Sequence, residues 1–173
     1  MVCNYKIRVT LKGFEKQIKR VFIINENVKI ADFCKAVIIS MNGSLEHLYA
    51  LKYKNKYYIC DYMEKNDFDE IKMRSQRIGV LLLDEKDKLE LTYDFGDNWL
   101  FKINVTKVTS GHHEKNIDLI DGIGRGIEED CGGVWGLEQL IDNKENDWGY
   151  DYADFNLKEM SDKLDRIFNK VVR

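Results

Sequence analysis

LELTYDFGDNWLFKINV, residues 89–105, reads as two strands joined by a tight polar turn, and the register between them decides the fold. A two-residue loop, Asp97-Asn98, pairs Tyr93 with Lys102 and sets Glu90, Thr92 and Asp94 on the face of Phe101, Ile103 and Val105. A three-residue loop, Gly96-Asp97-Asn98, pairs Phe95 with Trp99, Tyr93 with Phe101, Leu91 with Ile103 and Leu89 with Val105. All the large apolar residues except Leu100 then share one face. Sheet periodicity punishes a slip of one residue, so the second register is expected. A three-residue hairpin usually needs a left-handed residue at its last position, which Asn98 tolerates. Asp94 then points to the opposite face, beside Thr92 and Leu100.

Similar patterns extend outward. YKIRVTLK alternates Tyr5, Ile7, Val9 and Leu11 with Lys6, Arg8, Thr10 and Lys12, a half-buried strand, and IKRVFII after Gly13 reads as its hairpin partner. In IADFCKAVIISM the period changes: Ile30, Phe33, Val37 and Met41 recur at helical spacing, and Asn42-Gly43 ends the helix. LYALKYK and KYYICDY form a second strand pair around Lys54-Asn55. Residues 62–87 are polar apart from IGVLLL, whose period fits a helical turn or a strand. TSGHHEKNIDLIDGIGRGIEED is glycine-rich and is expected to be a long loop. Two helices close the chain, one over VWGLEQLIDN. The other starts at the N-cap Asn156, with Glu159 as its capping-box partner and a stripe of Leu157, Met160, Leu164, Ile167, Phe168 and Val171. The expected architecture is α+β: a ββαββ N-terminal half with an antiparallel sheet, a further hairpin and two C-terminal helices, in a single domain over residues 1–173.

Composition narrows the class. The chain has 173 residues, 44% hydrophobic and 33% charged, with formal charge −3, as in an ordinary globular protein. No apolar run approaches the roughly 18 residues that span a bilayer. The N-terminus alternates like a strand and lacks the regions of a signal peptide, so a cytoplasmic location and no membrane partner are expected. Cys3, Cys34, Cys60 and Cys131 are scattered, without a CxxC pair, and are expected to be free thiols rather than zinc ligands. Residues 1–56 hold 11 Lys and Arg against 4 Asp and Glu, net +7, and residues 57–173 hold 16 against 26, net −10. Proline is absent, and with many Lys, Asn and Ile this speaks of an AT-rich bacterial genome. Asp94-Phe95-Gly96 is the triplet with which protein kinases hold magnesium. The chain has no glycine-rich nucleotide loop, no His-Arg-Asp loop and too few residues for two lobes, which excludes a kinase.

YDFGDNW, followed by EEDCGGVWGLEQLI, resembles the plasmid pRi ORF-three-like family, whose members also travel as insertion-sequence passengers labelled TnpR-family proteins. Weaker echoes are IKRVFII, HLYALKY and YADFNLKEMSDKL, so the resemblance covers most of the chain. It implies a bacterial protein associated with plasmids or transposons, with no established activity. Relatives carry cysteines at the positions of Leu119 and Gly126, and often histidines at those of Cys34 and Tyr49. The Cys/His metal site this implies for them is largely dismantled here. The nucleophilic serine and arginine cluster of a serine resolvase have no counterpart.

Three functional readings follow. The leading one is a non-catalytic binding or interaction module with a protein partner or small ligand. Its cleft is expected where the hairpin meets the E-D-C-G-G turn, at Asp94, Asp97, Trp99, Glu129, Asp130, Cys131 and Trp135. The second is a metal-dependent hydrolase or nuclease in which Asp94, Asp97, Glu129 and Asp130 hold magnesium or calcium. The plainer explanation is that Asp97 makes a turn and Glu128 to Asp130 favour a helix N-terminus. No cofactor is expected, and a divalent metal is the one these residues would suit. Cys131 beside Gly132-Gly133 has the form of a thiol nucleophile, with His47, His112 or His113 as base, or of a packed cysteine in a glycine turn. The third reading is nucleic-acid binding through Lys6, Arg8, Lys19, Arg20, Lys52 and Lys54, against which the overall acidity stands.

Overall fold

Strict alternation is what a strand covered on one side requires, and the N-terminal stretch supplies it: Tyr5, Ile7, Val9 and Leu11 are buried while Lys6 and Arg8 are exposed. The computed structural model describes residues 2–67, 69–74, 76–143 and 147–169. In chain order these form β1 (Cys3–Leu11), β2 (Lys19–Asn25), α1 (Ile30–Ser40), β3 (Tyr49–Tyr53), β4 (Lys56–Ile59) and β5 (Glu70–Lys72). A 3-10 turn (Ile78–Leu81) precedes β6 (Lys88–Tyr93), β7 (Trp99–Ser110), β8 (Ile117–Ile123), α2 (Gly133–Asp142) and α3 (Leu157–Phe168). The apolar IGVLLL stretch is therefore a helical turn, not a strand.

Among the described residues the strands make one eight-stranded sheet, ordered β5-β4-β3-β6-β7-β1-β2-β8. The α+β class holds, with two refinements. The sheet is mixed, because β5 runs parallel to β4. The segment expected to be a long loop contains β8, paired with β2. Its alternation is broken by a bulge that leaves Ile120 unpaired between Leu119, opposite Phe22, and Asp121, opposite Val21.

The β6–β7 hairpin occupies the centre of the sheet, but its register differs from the expected one. Tyr93 faces Trp99, Leu91 faces Phe101 and Leu89 faces Ile103, leaving Asp94–Asn98 as the loop. A slide of two residues preserves the parity, so the inward set stays inside, except Phe95, which is 49% exposed. Local hydrogen bonds end the strand early. Asp94 adopts φ 56°, its carbonyl accepts the Asn98 N–H at 2.6 Å, and its Oδ1 accepts the Gly96 N–H at 2.9 Å. Asn98 is left-handed, as expected, at φ 55°. Asp94 does not stand beside Thr92 and Leu100 but is buried near His47.

One face of the sheet carries the core. α1 packs against β2 and α3, and α3 lies along β8. Phe33, Cys34, Ala36, Val37 and Ile38 of α1 are fully buried. The helix ends where Asn42, at φ 69°, donates to Ile39 O and Gly43 donates to Ile38 O at 2.8 Å. Asn156 caps α3 by accepting the Glu159 N–H at 3.1 Å. Of the expected α3 stripe, Leu164 is buried, Ile167 is half-exposed and Val171 lies outside the described residues. The opposite face, carrying Lys6, Arg8, Lys52, Lys88 and Glu90, is not covered by α1 or α3. No helix among the described residues is long and apolar enough to cross a membrane.

Candidate functional site

The two conspicuous motifs of the sequence meet at the tip of the β6–β7 hairpin. Gly133, at φ 68°, lies so close to Asp97 that an added Cβ would overlap the Asp97 carbonyl oxygen. The E-D-C-G-G turn can therefore dock on the loop only with a glycine there. Glu129 completes the joint. Its Oε1 accepts the Ser44 N–H at 2.6 Å and the Tyr93 hydroxyl at 2.7 Å, and its Oε2 accepts the Ser44 hydroxyl at 2.8 Å. Burial opposes ionisation of Glu129, but these donors together with His47 win and hold its pKa below the ordinary value. Burial first, and then Glu129, pushes Tyr93 up to about 12.

His47, on the segment entering β3, brings the carboxylates together. Its Nε2 lies 3.8 Å from Asp94 Oδ2, 3.8 Å from Glu129 Oε2 and 3.9 Å from Asp130 Oδ1. Ligand atoms of His47, Asp94 and Asp130 lie within 4.8 Å of one another. The Tyr93 ring meets the imidazole edge-on, with centroids 5.8 Å apart. In the sequence His47 stood only as a base for Cys131; no motif spacing joins it to Asp94 or Asp130, so nothing there marks it as a member of this group.

The remaining members of the expected cleft separate. Asp97 turns away toward Cys131, and its Oδ2 is buried without a hydrogen bond. Trp99 is fully buried in the core, also with an unpartnered Nε1, whereas Trp135 is 71% exposed on α2. Burial, and then Asp97 and Glu128, raises the Cys131 thiol to about 11, the reverse of an activated nucleophile. Its sulfur sits 3.7 Å from the Gly133 carbonyl. Of the other histidines, His113 pairs with Asp118 at 3.1 Å and His112 is exposed.

On the uncovered face, a groove of about 600 Å³ lies beside the hairpin tip, lined by Lys12, Ala50, Lys52, Tyr57, Glu90, Thr92, Phe95, Asp97, Asn98, Leu100 and Val134. The six basic residues expected to form one nucleic-acid face are divided. Lys6, Arg8 and Lys52 are exposed on this face, Lys54 is in the β3–β4 turn, and Lys19 is bound to Asp121 at 3.0 Å. Arg20 is not on the surface at all. It faces inward and donates from Nε to Ser40 O at 2.7 Å, from Nη1 to the Lys19 and Ile123 carbonyls, and from Nη2 to the Gly124 and Arg125 carbonyls. Its guanidinium stacks 3.7 Å from the Phe155 ring centroid. Burial lowers its pKa to about 9, which still leaves it charged at neutral pH. Alternation in Ile18, Arg20, Phe22 and Ile24 was the signal that Arg20 points in with the apolar residues.

The fold is similar to that in the crystal structure of a protein of unknown function, MM3350 from Methanosarcina mazei Go1. The TM-score is 0.77 and the identity 22%, over 92% of this chain and 97% of that one. No curated protein matches the sequence. The family described as Plasmid pRiA4b ORF-3-like protein matches residues 4–170. With the hairpin, the E-D-C-G-G turn and the closing helix all inside that span, the chain belongs to the plasmid pRiA4b ORF-3-like family.

Proposed function

We propose that the protein is a non-catalytic binding module that receives an acidic segment of a partner protein in the groove on the open sheet face. The observation that carries this reading is the composition of the groove. Phe95 and Tyr57 expose 49% and 41% of their surface at it, next to Leu100 and Val134 and between Lys12 and Lys52. Exposed aromatic rings beside cations are what protein interfaces use as anchors. Lys52 Nζ lies over the Tyr57 ring, 5.5 Å from its centroid, so cation and aromatic face stand side by side at the groove. Within the lining Lys12 and Lys52 are matched by Glu90 and Asp97, and the positive charge comes from Lys6, Arg8 and Lys88 along the same face. Free thiols at all four cysteines support a reducing, cytoplasmic setting.

The hydrolase reading is weaker, because of Asp94, Asp97, Glu129 and Asp130 only Asp97 lines the groove. Nucleic-acid binding keeps a specific support in the exposed lysines, but Glu90 lies between Lys52 and Lys102, and Lys102 is held by Glu15 at 2.6 Å. The test is a photoreactive amino acid placed at Phe95 in the producing cells, with the same residue at Lys158 on α3 as control. A cross-link to an acid-rich peptide, lost on Lys12→Glu with Lys52→Glu, is expected. Equal labelling at both positions, or a cross-link to nucleic acid, would overturn the reading.

A further inference from the structure

We propose that His47, Asp94 and Asp130 bind one divalent transition-metal cation, zinc or manganese, with Glu129 as a positioning residue. The three residues come from separate parts of the chain: the entry to β3, the end of β6 and the approach to α2. Hydrogen bonds between such groups close to about 2.7–3.2 Å. His47 Nε2 instead stands 3.8 Å from Asp94 Oδ2 and 3.9 Å from Asp130 Oδ1. Donors held tetrahedrally about 2.1 Å from a cation are roughly 3.4 Å apart, so the two His47 distances need only contract by a few tenths of an ångström, while all three ligand atoms already lie within 4.8 Å of one another.

Asp94 gives the independent indication. It is only 8% exposed, its Oδ1 is used by the Gly96 N–H, and its Oδ2 has no hydrogen bond among the described residues while pointing toward His47. Asp94 is thus anchored through one oxygen and presents the other to the imidazole, free to ligate a cation bound there. Three carboxylates, including Glu129, surround one imidazole, a balance that favours a double positive charge. Both Glu129 oxygens are engaged by Ser44 and Tyr93, so Glu129 fixes the turn and adds field without needing to ligate. A mixed set of imidazole nitrogen and carboxylate oxygens suits zinc or manganese. The cation would tie the hairpin tip, and with it Phe95 at the groove, to the E-D-C-G-G turn.

The test uses the full chain, stripped with EDTA, dialysed, and titrated calorimetrically with zinc chloride and separately with manganese chloride. One equivalent should bind. Asp130→Asn should weaken binding about tenfold or more, and His47→Ala should abolish it. The Asp130 side chain is 80% exposed, so that variant should keep the fold. His113→Ala, which removes the His113–Asp118 pair, should leave binding unchanged. The proposal is overturned if neither metal binds stoichiometrically, or if binding survives Asp130→Asn and disappears with His113→Ala. No partner is present in the titration, so its result is independent of the groove reading.

Discussion

Among the described residues two histidines meet carboxylates, and they meet them differently. His113 lies within hydrogen-bonding distance of Asp118, at 3.1 Å, in a pair that closes on itself. His47 faces Asp94, Glu129 and Asp130 at 3.8–3.9 Å and closes on none of them. The difference lies in what restrains the carboxylates. Among the described residues Asp118 is held by side-chain partners, Lys115 and His113. Asp94 is anchored by the Gly96 N–H, and Glu129 by Ser44 and Tyr93. Asp94 and Glu129, held in this way, stop short of the imidazole, and the exposed Asp130 carboxylate stands at a similar distance.

The largest expected effect comes from a charge the fold satisfies completely. Arg20→Met removes the side-chain hydrogen bonds to the Lys19, Ser40, Ile123, Gly124 and Arg125 carbonyls. Chemical denaturation should show a loss on the order of 4 kcal/mol, against a much smaller loss for His47→Ala. If Arg20→Met is neutral, buried charge here is not held as described. Gly133→Ala comes next, at about 3 kcal/mol, because it combines a left-handed backbone with overlap at the Asp97 carbonyl. Gly132→Ala, also left-handed but in open space, should cost less; equal losses would mean that the docking of the two motifs contributes nothing.

What the sequence revealed follows the same division between local and distant causes. Alternation in β1, the inward set of the hairpin apart from Phe95, the left-handed Asn98 and the Asn156 cap are local patterns, and each is present. The exact pairing of the hairpin was not legible, because a shift by two residues keeps the same faces. It took the Asp94 turn, with its side chain bonded to Gly96, to end β6 at Tyr93. β8 was hidden by the bulge at Ile120. The carboxylates of the candidate site were visible as residues, whereas their meeting with His47 depends on how β3, β6 and the approach to α2 pack together. The charge of Arg20 marks it as a surface residue, whereas its position in the β2 alternation points inward, and the position prevails.

Smaller effects sharpen the contrast between the two histidines. Tyr93→Phe deletes one donor to Glu129 and should cost about 1 kcal/mol in denaturation experiments. Glu129, still held by Ser44, then faces His47 with one donor fewer, so zinc affinity is expected to change; unchanged affinity would deny Glu129 its positioning role. The pH dependence has a defined sign. The Glu129 pKa is depressed in the fold, so its contribution is present above the unfolded carboxylate range, near pH 4.5, and is lost as pH falls through the folded value. Denaturation midpoints from pH 6 to pH 3 should therefore fall on acidification, with a smaller Glu129-dependent fall in Tyr93→Phe. The smallest effect concerns Cys131, whose thiol is raised to about 11: alkylation at pH 7.5 should be slow and should accelerate toward pH 10. Rapid alkylation at neutral pH would restore it as a nucleophile.

The most direct measurement is anomalous diffraction at the zinc edge from crystals of the full chain soaked in zinc chloride. The expected result is one strong peak at bonding distance, about 2.0–2.2 Å, from His47 Nε2 and from oxygens of Asp94 and Asp130. Zinc at His113 and Asp118 alone, or no peak beside a fully ordered His47, would contradict it.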